Sequence, residues 1–160
     1  MTKMLSVFFI LCMIGLCLSA CKGKQAEVIP VTFEPSKVIS NTYCGNVEDV
    51  KPMSASVKTK IHIAGWAADL QKKLPAKSII VVADGKQIPF SPLMGITRKD
   101  VANVYKSDGL IESGWNGQFM ASDLGKGKHK VDIYAALDNG KFAHLTYKGK
   151  NSYFEIEVVD

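Results

Sequence analysis

Alternation of apolar and polar residues dominates the chain after about residue 38. Residues 57–63, 130–137 and 153–158 alternate almost perfectly. A period of two is typical of strands that bury one face. Residues 78–83 instead form a continuous apolar, mostly β-branched run, and this pattern predicts a strand that is covered on both faces.

Turn signals separate these strands and define a fold class. Asp84-Gly85 and Asp138-Asn139-Gly140 each follow a predicted strand and favour hairpin turns. Helical spacing occurs near residues 98–105, where we expect one short crossover helix. About seven strands with turns at this spacing predict an all-β fold, an antiparallel immunoglobulin-like β-sandwich. A small β-barrel is the alternative.

The first twenty residues are far more apolar than the rest. Fifteen of them are apolar, Lys3 precedes the apolar run, and small residues follow it. This is the layout of a secretory signal peptide, and an apolar run of about 15 residues is short for a membrane span. We therefore expect residues 1–20 to be cleaved, residues 21–37 to form a lipidated tether, and residues 38–160 to form the β-sandwich domain.

Leu18-Ser19-Ala20-Cys21 resembles the lipobox of bacterial lipoproteins. The resemblance implies cleavage before Cys21 and attachment of acyl chains such as palmitate to its sulfur, which would anchor the protein to a membrane. In Gram-negative cells, Lys22 at the next position implies sorting to the outer membrane, because retention in the inner membrane is commonly signalled by Asp there. An ordinary secretory signal with a chance cysteine is the alternative.

Lipidation would leave Cys44 as the one free thiol of the mature chain, because Cys12 and Cys17 belong to the signal peptide. No intramolecular disulfide is then available. Two roles stay open for Cys44, a buried inert thiol or an intermolecular disulfide with a partner.

The positive charges are carried by nineteen lysines and one arginine, Arg98. A planar guanidinium suits a fixed bidentate ion pair, whereas lysine suits a solvated surface. We therefore expect a structural ion pair between Arg98 and either Asp100 or Asp69. A ligand-binding role for Arg98 is the alternative.

Five short segments around Arg98 also follow one another in a recognisable order. They are Gly65-Trp66-Ala67-Ala68-Asp69, Asp84-Gly85, Arg98-Lys99-Asp100-Val101-Ala102, Ser113-Gly114-Trp115 and Gly127-Lys128-His129-Lys130-Val131. The series resembles small β-sandwich modules of bacterial envelope proteins, some of them attached to membrane glycosyltransferases and sugar-polymer proteins. Their pattern runs G-W-A-x-D, D-G, R-x-D-V-A, S-G-[FW] and G-x-H-x-[VL]. The resemblance covers about residues 57–138 and implies a fold and an envelope setting without a reaction. Lys99 departs from the pattern, which usually has proline there.

Four aromatic residues form a candidate ligand surface, because exposed aromatic rings with polar neighbours stack on sugars. They are Trp66, Trp115, Tyr134 and Tyr153. For the two tryptophans, filling or capping the core is the alternative.

Catalytic signals are weak in this sequence. His62, His129 and His144 lie on different predicted strands without metal-ligand spacing, and no nucleophile motif accompanies them. We therefore expect no enzyme activity, no cofactor and no metal site.

These expectations combine into one functional interpretation. The sequence favours a lipid-anchored bacterial envelope protein that presents a non-enzymatic binding module for an envelope glycan or a protein partner. A structural subunit of an envelope complex is one alternative, and an inhibitor of a lysozyme-type hydrolase is another, although the usual disulfide of such inhibitors is missing. Nucleic acid is disfavoured as a partner because the signal exports the chain, and the oligomeric state stays open.

Overall fold

The structure, a computed structural model, describes residues 31–150 and 152–160. In these residues thirteen strands form two mixed sheets that pack on each other, together with one short α-helix. The predicted all-β sandwich is confirmed, and within the described ranges the sheets do not close into a barrel. The predicted signal peptide (1–20) and lipid attachment site Cys21 lie outside the described residues. No helix of the described part has the length and apolar composition that a membrane crossing requires.

The regular elements are short and closely spaced. In chain order the strands are β1 (Val38–Ile39), β2 (Gly45–Lys51), β3 (Ser54–Ser56), β4 (Lys60–Asp69), β5 (Leu74–Pro75), β6 (Ser78–Ala83), β7 (Lys86–Gln87), β8 (Leu93–Ile96), β9 (Gly114–Met120), β10 (Gly127–Ala136), β11 (Phe142–His144), β12 (Thr146–Tyr147) and β13 (Tyr153–Val159). The helix α1 is Lys99–Val104, and single 3-10 turns occupy Pro35–Lys37, Asp108–Leu110 and Ala121–Asp123.

Each sheet is organised around one long strand. In sheet A, β10 pairs with β6 on one edge and with β13 and β11 on the other, and β7, β3 and β1 continue from these neighbours. In sheet B, β4 lies between β2 and β9, with β12 and β8 outside them and β5 against the end of β4. The long pairs are antiparallel, but the edge pairs β1–β11, β3–β13 and β2–β12 are parallel. The sheets are therefore mixed rather than purely antiparallel.

The main core lies between the two sheets and is built by alternate residues of the long strands. Ile61 and Ile63 of β4 pack there with Val131 and Ile133 of β10. All six residues of β6 are buried, as its continuous apolar run predicts. One face of β6 enters the main core, and the other belongs to a second cluster on the outer face of sheet A.

This second cluster exists because the N-terminal segment of residues 31–37 covers the outer face of sheet A. The ring of Phe33 lies 4.5 Å from that of Tyr134 and 5.3 Å from that of Phe142, centroid to centroid. The side chain of Gln87 accepts the Phe33 amide N–H (2.7 Å) and donates to the Val31 carbonyl (2.9 Å). The predicted tether, residues 21–37, therefore belongs to the folded body from residue 31 onward.

The helix α1 covers part of the outer face of sheet B. It connects β8 to β9, which are neighbours in that sheet, so it lies within a strand connection rather than crossing between sheets. Val101 and Leu110 pack with Trp66 and Ala68 in a third apolar cluster. One end of sheet B is thus covered on both faces.

We predict that Gln87→Ala releases the N-terminal segment. Loss of two hydrogen bonds should lower the free energy of unfolding by about 1–2 kcal/mol and remove the hydrogen-exchange protection of the Phe33 amide. The matched control is Gln71→Ala, because Gln71 is exposed and its side chain makes no hydrogen bond within the described residues. Equal protection of Phe33 in both variants would contradict the role of Gln87.

Candidate functional site

Arg98 is the centre of an ion cluster on the outer face of sheet B. Its Nη1 and Nη2 donate to the two carboxylate oxygens of Glu48, both at 2.9 Å. Its Nε and Nη2 donate to the two oxygens of Asp100, at 2.9 and 2.6 Å. The side chain is only 17% exposed, so two bidentate pairs compensate a charge that is largely removed from water.

These hydrogen bonds shift the pKa values of Asp100 and Arg98. Hydrogen bonds from Arg98 lower the pKa of Asp100 to about 2. Hydrogen bonds to Asp100, followed by those to Glu48, raise the pKa of Arg98. Arg98 and Asp100 are therefore both charged at neutral pH, as the predicted contact between them requires.

The local backbone explains why Glu48 reaches Arg98. The register between β2 and β4 shifts between Val47 and Asp49, so Glu48 is the extra residue of a β-bulge. Arg98 is held from the other side, where its amide N–H donates to the Ile111 carbonyl at 2.6 Å. A Cβ atom at Gly114 would lie 2.9 Å from Cγ of Arg98, so glycine leaves room for the side chain.

Asp69, the other predicted partner of Arg98, has a different role. Its Oδ1 accepts the backbone N–H groups of Gln71 and Lys72, both at 3.1 Å. These bonds stabilise the turn after β4 in the manner of an Asx turn. The partner that sequence reasoning missed is Glu48, because alternation does not reveal a bulge.

The two tryptophans do not offer faces to a ligand. Trp66 points to the outer face of sheet B, as the register of its strand predicts, but it is only 6% exposed. Tyr43 and Tyr105 cover it, with ring centroids 5.8 and 5.6 Å away. Trp115 is 1% exposed and packs in the main core. The predicted ligand surface is therefore corrected at Trp66 and Trp115. Both rings pack against other residues of the protein and are not free to stack on a sugar.

The other two predicted aromatics lie on the outer face of sheet A. Tyr153 is exposed, with Nζ of Lys130 4.5 Å from its ring centroid. Tyr134 is half-buried and stacks on His144 at 4.5 Å. One of the four aromatic residues therefore lies on the outer face of sheet B, one in the core and two on the outer face of sheet A. They do not form one surface.

His144 lies beside a buried carboxylate. Its Nε2 is 3.0 Å from Oδ1 of Asp132, although the two atoms are not aligned as a hydrogen bond. Burial is the main cause that lowers the pKa of His144, and Lys130 lowers it further, while Asp132 acts in the opposite direction.

Most of the recognised sequence segments meet in internal contacts. Trp66 pairs with Gly114 across β4 and β9, close to Arg98. At the opposite end of the sandwich, Asp84 accepts the Lys130 amide N–H at 2.9 Å and contacts Nδ1 of His129 at 2.8 Å. The hydrogen bond with His129 is the main cause that lowers the pKa of Asp84. These residues stabilise the fold.

An open depression of about 470 Å³, lined by both polar and apolar residues, lies on the part of sheet B that α1 leaves free. We call it the sheet B depression, and its lining residues are Asp49, His62, Ile63, Ala64, Ser91, Leu93, Asn116, Gly117 and Gln118. In the sheet, Ala64 lies between Asp49 on β2 and Asn116 on β9. The small side chain of Ala64 therefore forms the floor between longer neighbours.

The polar side chains of the sheet B depression are available to a ligand. His62, Asn116 and Gln118 are exposed, and none of them makes a side-chain hydrogen bond to any residue in 31–150 or 152–160. Leu93 adds an apolar wall that is 63% exposed. In the sequence these positions look like ordinary solvated residues of alternating strands, so no local signal distinguishes them.

Cys44 is a buried thiol immediately before β2. It is 1% exposed, and burial raises its pKa to about 12. Because the thiolate is the reactive form, Cys44 is unreactive in the folded state. In the described part of the chain, no three His, Cys, Asp or Glu side chains are grouped so as to hold a metal ion.

Comparisons with protein-family models and with curated proteins found no match for this chain. The resemblance to envelope β-sandwich modules therefore stays a prediction. A fold alone does not define a function, so the function of this chain depends on its surfaces.

We predict that Arg98→Lys destabilises the protein. Lysine cannot form two bidentate pairs, so the free energy of unfolding should fall by about 1–2 kcal/mol, or roughly 3–8 °C in melting temperature. The neighbouring exposed Lys99→Arg is the control and should melt like the parent. An unchanged melting temperature for Arg98→Lys would refute the structural role of the cluster.

We also predict a pH-dependent loss of stability that involves His144. Because the pKa of His144 is lower in the folded protein than its ordinary value of 6.5, the unfolded chain binds a proton more readily. The contribution of neutral His144 is therefore present above about pH 6.5 and is lost as the pH falls below that value. Urea unfolding at pH 7.5 and 5.5 should show a larger loss for the parent than for His144→Gln, and equal losses would contradict this assignment.

Proposed function

We propose that this chain is a lipid-anchored protein of the bacterial envelope whose β-sandwich is a non-enzymatic binding module for an envelope glycan or protein. The lipobox-like segment that ends at Cys21 supports the anchor. The observation that carries the binding role is the position of the sheet B depression, on the face opposite the one that the N-terminal segment covers.

The N-terminal segment and the sheet B depression lie on different faces of the sandwich. Residue 31 packs on the outer face of sheet A, and the ten residues from Cys21 to this point reach at most about 33–36 Å. Two or three acyl chains on Cys21 would hold the domain almost permanently at the membrane. The open part of sheet B would then be free to contact a partner, and Lys22 favours the outer membrane of a Gram-negative cell as the location.

The surroundings of two of the three histidines, His129 and His144, support a binding role over catalysis. Both ring nitrogens of His129 contact internal acceptors, Asp84 and the Gly125 carbonyl. His144 lies under Tyr134 on sheet A, away from the sheet B depression. A general base needs access to a substrate proton. Neither His129 nor His144 lies in a cleft that would give it this access.

A protein partner is favoured by one specific feature, the edge strand β8. Within the described residues β8 pairs on one side only, with β9, and Leu93 on it is exposed. An unpaired edge can accept a strand from another protein. This feature supports the alternative of a structural subunit in an envelope complex.

We predict that thiol counting will reveal the lipid. Protein purified from membranes should show no reactive thiol when folded, because Cys44 is buried, and one thiol after denaturation, because Cys21 is a thioether. Cys21→Ser should shift the protein from the membrane to the soluble fraction, whereas Cys44→Ser should not. Two thiols in the denatured parent, or a membrane-bound Cys21→Ser protein, would contradict the proposed anchor.

A further inference from the structure

We propose that the sheet B depression binds a neutral oligosaccharide segment of an envelope glycan. The inference rests on the proposed function, because it names the ligand class of that binding module. It also replaces the aromatic surface that the sequence suggested, since both tryptophans are buried.

Hydrogen-bonding capacity is the first argument. Asn116 and Gln118 are two residues apart on one face of β9, so their Cα atoms are about 7 Å apart. Each amide carries donors and an acceptor, and His62 lies opposite Gln118 on the neighbouring strand. This mixed set matches hydroxyl groups, which both donate and accept. The neighbouring Leu93 offers an apolar contact for the C–H face of a sugar ring.

Charge is the second argument. The one carboxylate that lines the depression, Asp49, has its Oδ1 3.0 Å from Nζ of Lys51. No cluster of lysines or carboxylates lies among the lining residues. An anionic or cationic ligand would find little electrostatic complementarity there, so a neutral ligand is favoured.

Backbone pairing is the third argument, and it separates a sugar from a peptide. Extended peptides are recognised mainly through unpaired main-chain groups of an edge strand. At the floor of the depression, β4 is paired with both β2 and β9, and β9 is paired with both β4 and β8. A ligand on this floor therefore meets side chains, as an oligosaccharide does, whereas a peptide strand would pair along the free edge of β8.

The shape of the depression is compatible with this ligand. Its volume of about 470 Å³ falls within the range of about 300–1,000 Å³ for small-molecule sites. The β2 bulge contributes directly to the shape, because the register shift brings Asp49 opposite Ala64 on the outer face. Trp66 is two residues beyond Ala64 on β4 and is packed against Val101 of α1, so the open part of the sheet ends before it.

The test is a calorimetric titration of the full chain, purified in a polyoxyethylene detergent that carries no sugar headgroup. The probes are neutral hexasaccharides of glucose and of N-acetylglucosamine, together with glycan fragments released from the producing cell's peptidoglycan and surface polysaccharide. We expect at least one probe to bind. Asn116→Ala and Gln118→Ala should each weaken its affinity about fivefold or more.

Matched variants keep the test specific. Asn103→Ala and Gln71→Ala remove exposed amides elsewhere and should bind like the parent. Ala64→Leu fills the floor from the solvent side, so it should abolish binding while leaving the melting temperature unchanged. Binding that survives Ala64→Leu and both amide variants would overturn the assignment of the site.

Failure of this inference can be told apart from failure of the proposed function. If no probe binds, the glycan assignment is wrong. A photo-crosslinking residue placed at position 118 in living cells then decides what remains. Capture of a specific envelope protein would keep the binding module with a protein ligand. If nothing is captured but the Cys21→Ser protein is released into the soluble fraction, the lipid anchor is supported and the binding role of this face is wrong.

Discussion

The half-buried guanidinium of Arg98 is the constraint on which the arrangement of sheet B depends. A charge removed from water needs partners, and here two carboxylates satisfy it from different parts of the chain. Glu48 comes from the bulge of β2 and Asp100 from the first turn of α1. By joining them, Arg98 ties the first turn of α1 to β2, beside the apolar cluster in which α1 covers Trp66.

Much of the fold follows from local sequence patterns. The continuous apolar run of β6 predicted burial on both faces, and Asp84-Gly85 predicted the turn after it, where both residues adopt positive φ angles of 49° and 81°. The short helix near residues 98–105 was also predictable, although its place between neighbouring strands was not. The packing of segment 31–37 was not predictable, because the contacts of Phe33 depend on Gln87, which is far away in sequence.

The candidate site was much harder to predict, for a physical reason. Trp66 was expected to be exposed to a ligand, but its burial depends on a helix that begins 33 residues further along the chain. The sheet B depression requires the pairing register of β2, β4, β8 and β9, including a bulge that reverses the alternation at Asp49. Residues such as Asn116 and Gln118 acquire a shared role only when that register brings His62 and Ala64 beside them. Alternation within one strand carries no such information.

The central claim is that the open part of sheet B is the binding face of the molecule. Its most direct test is NMR chemical-shift mapping, in which glycan fragments from the producing cell's own envelope are added to the isotope-labelled protein. We expect shifts concentrated at the side chains and amides of His62, Ala64, Asn116 and Gln118, with sheet A unchanged. Shifts centred on Tyr134 and Tyr153 of sheet A, with none in the sheet B depression, would contradict it.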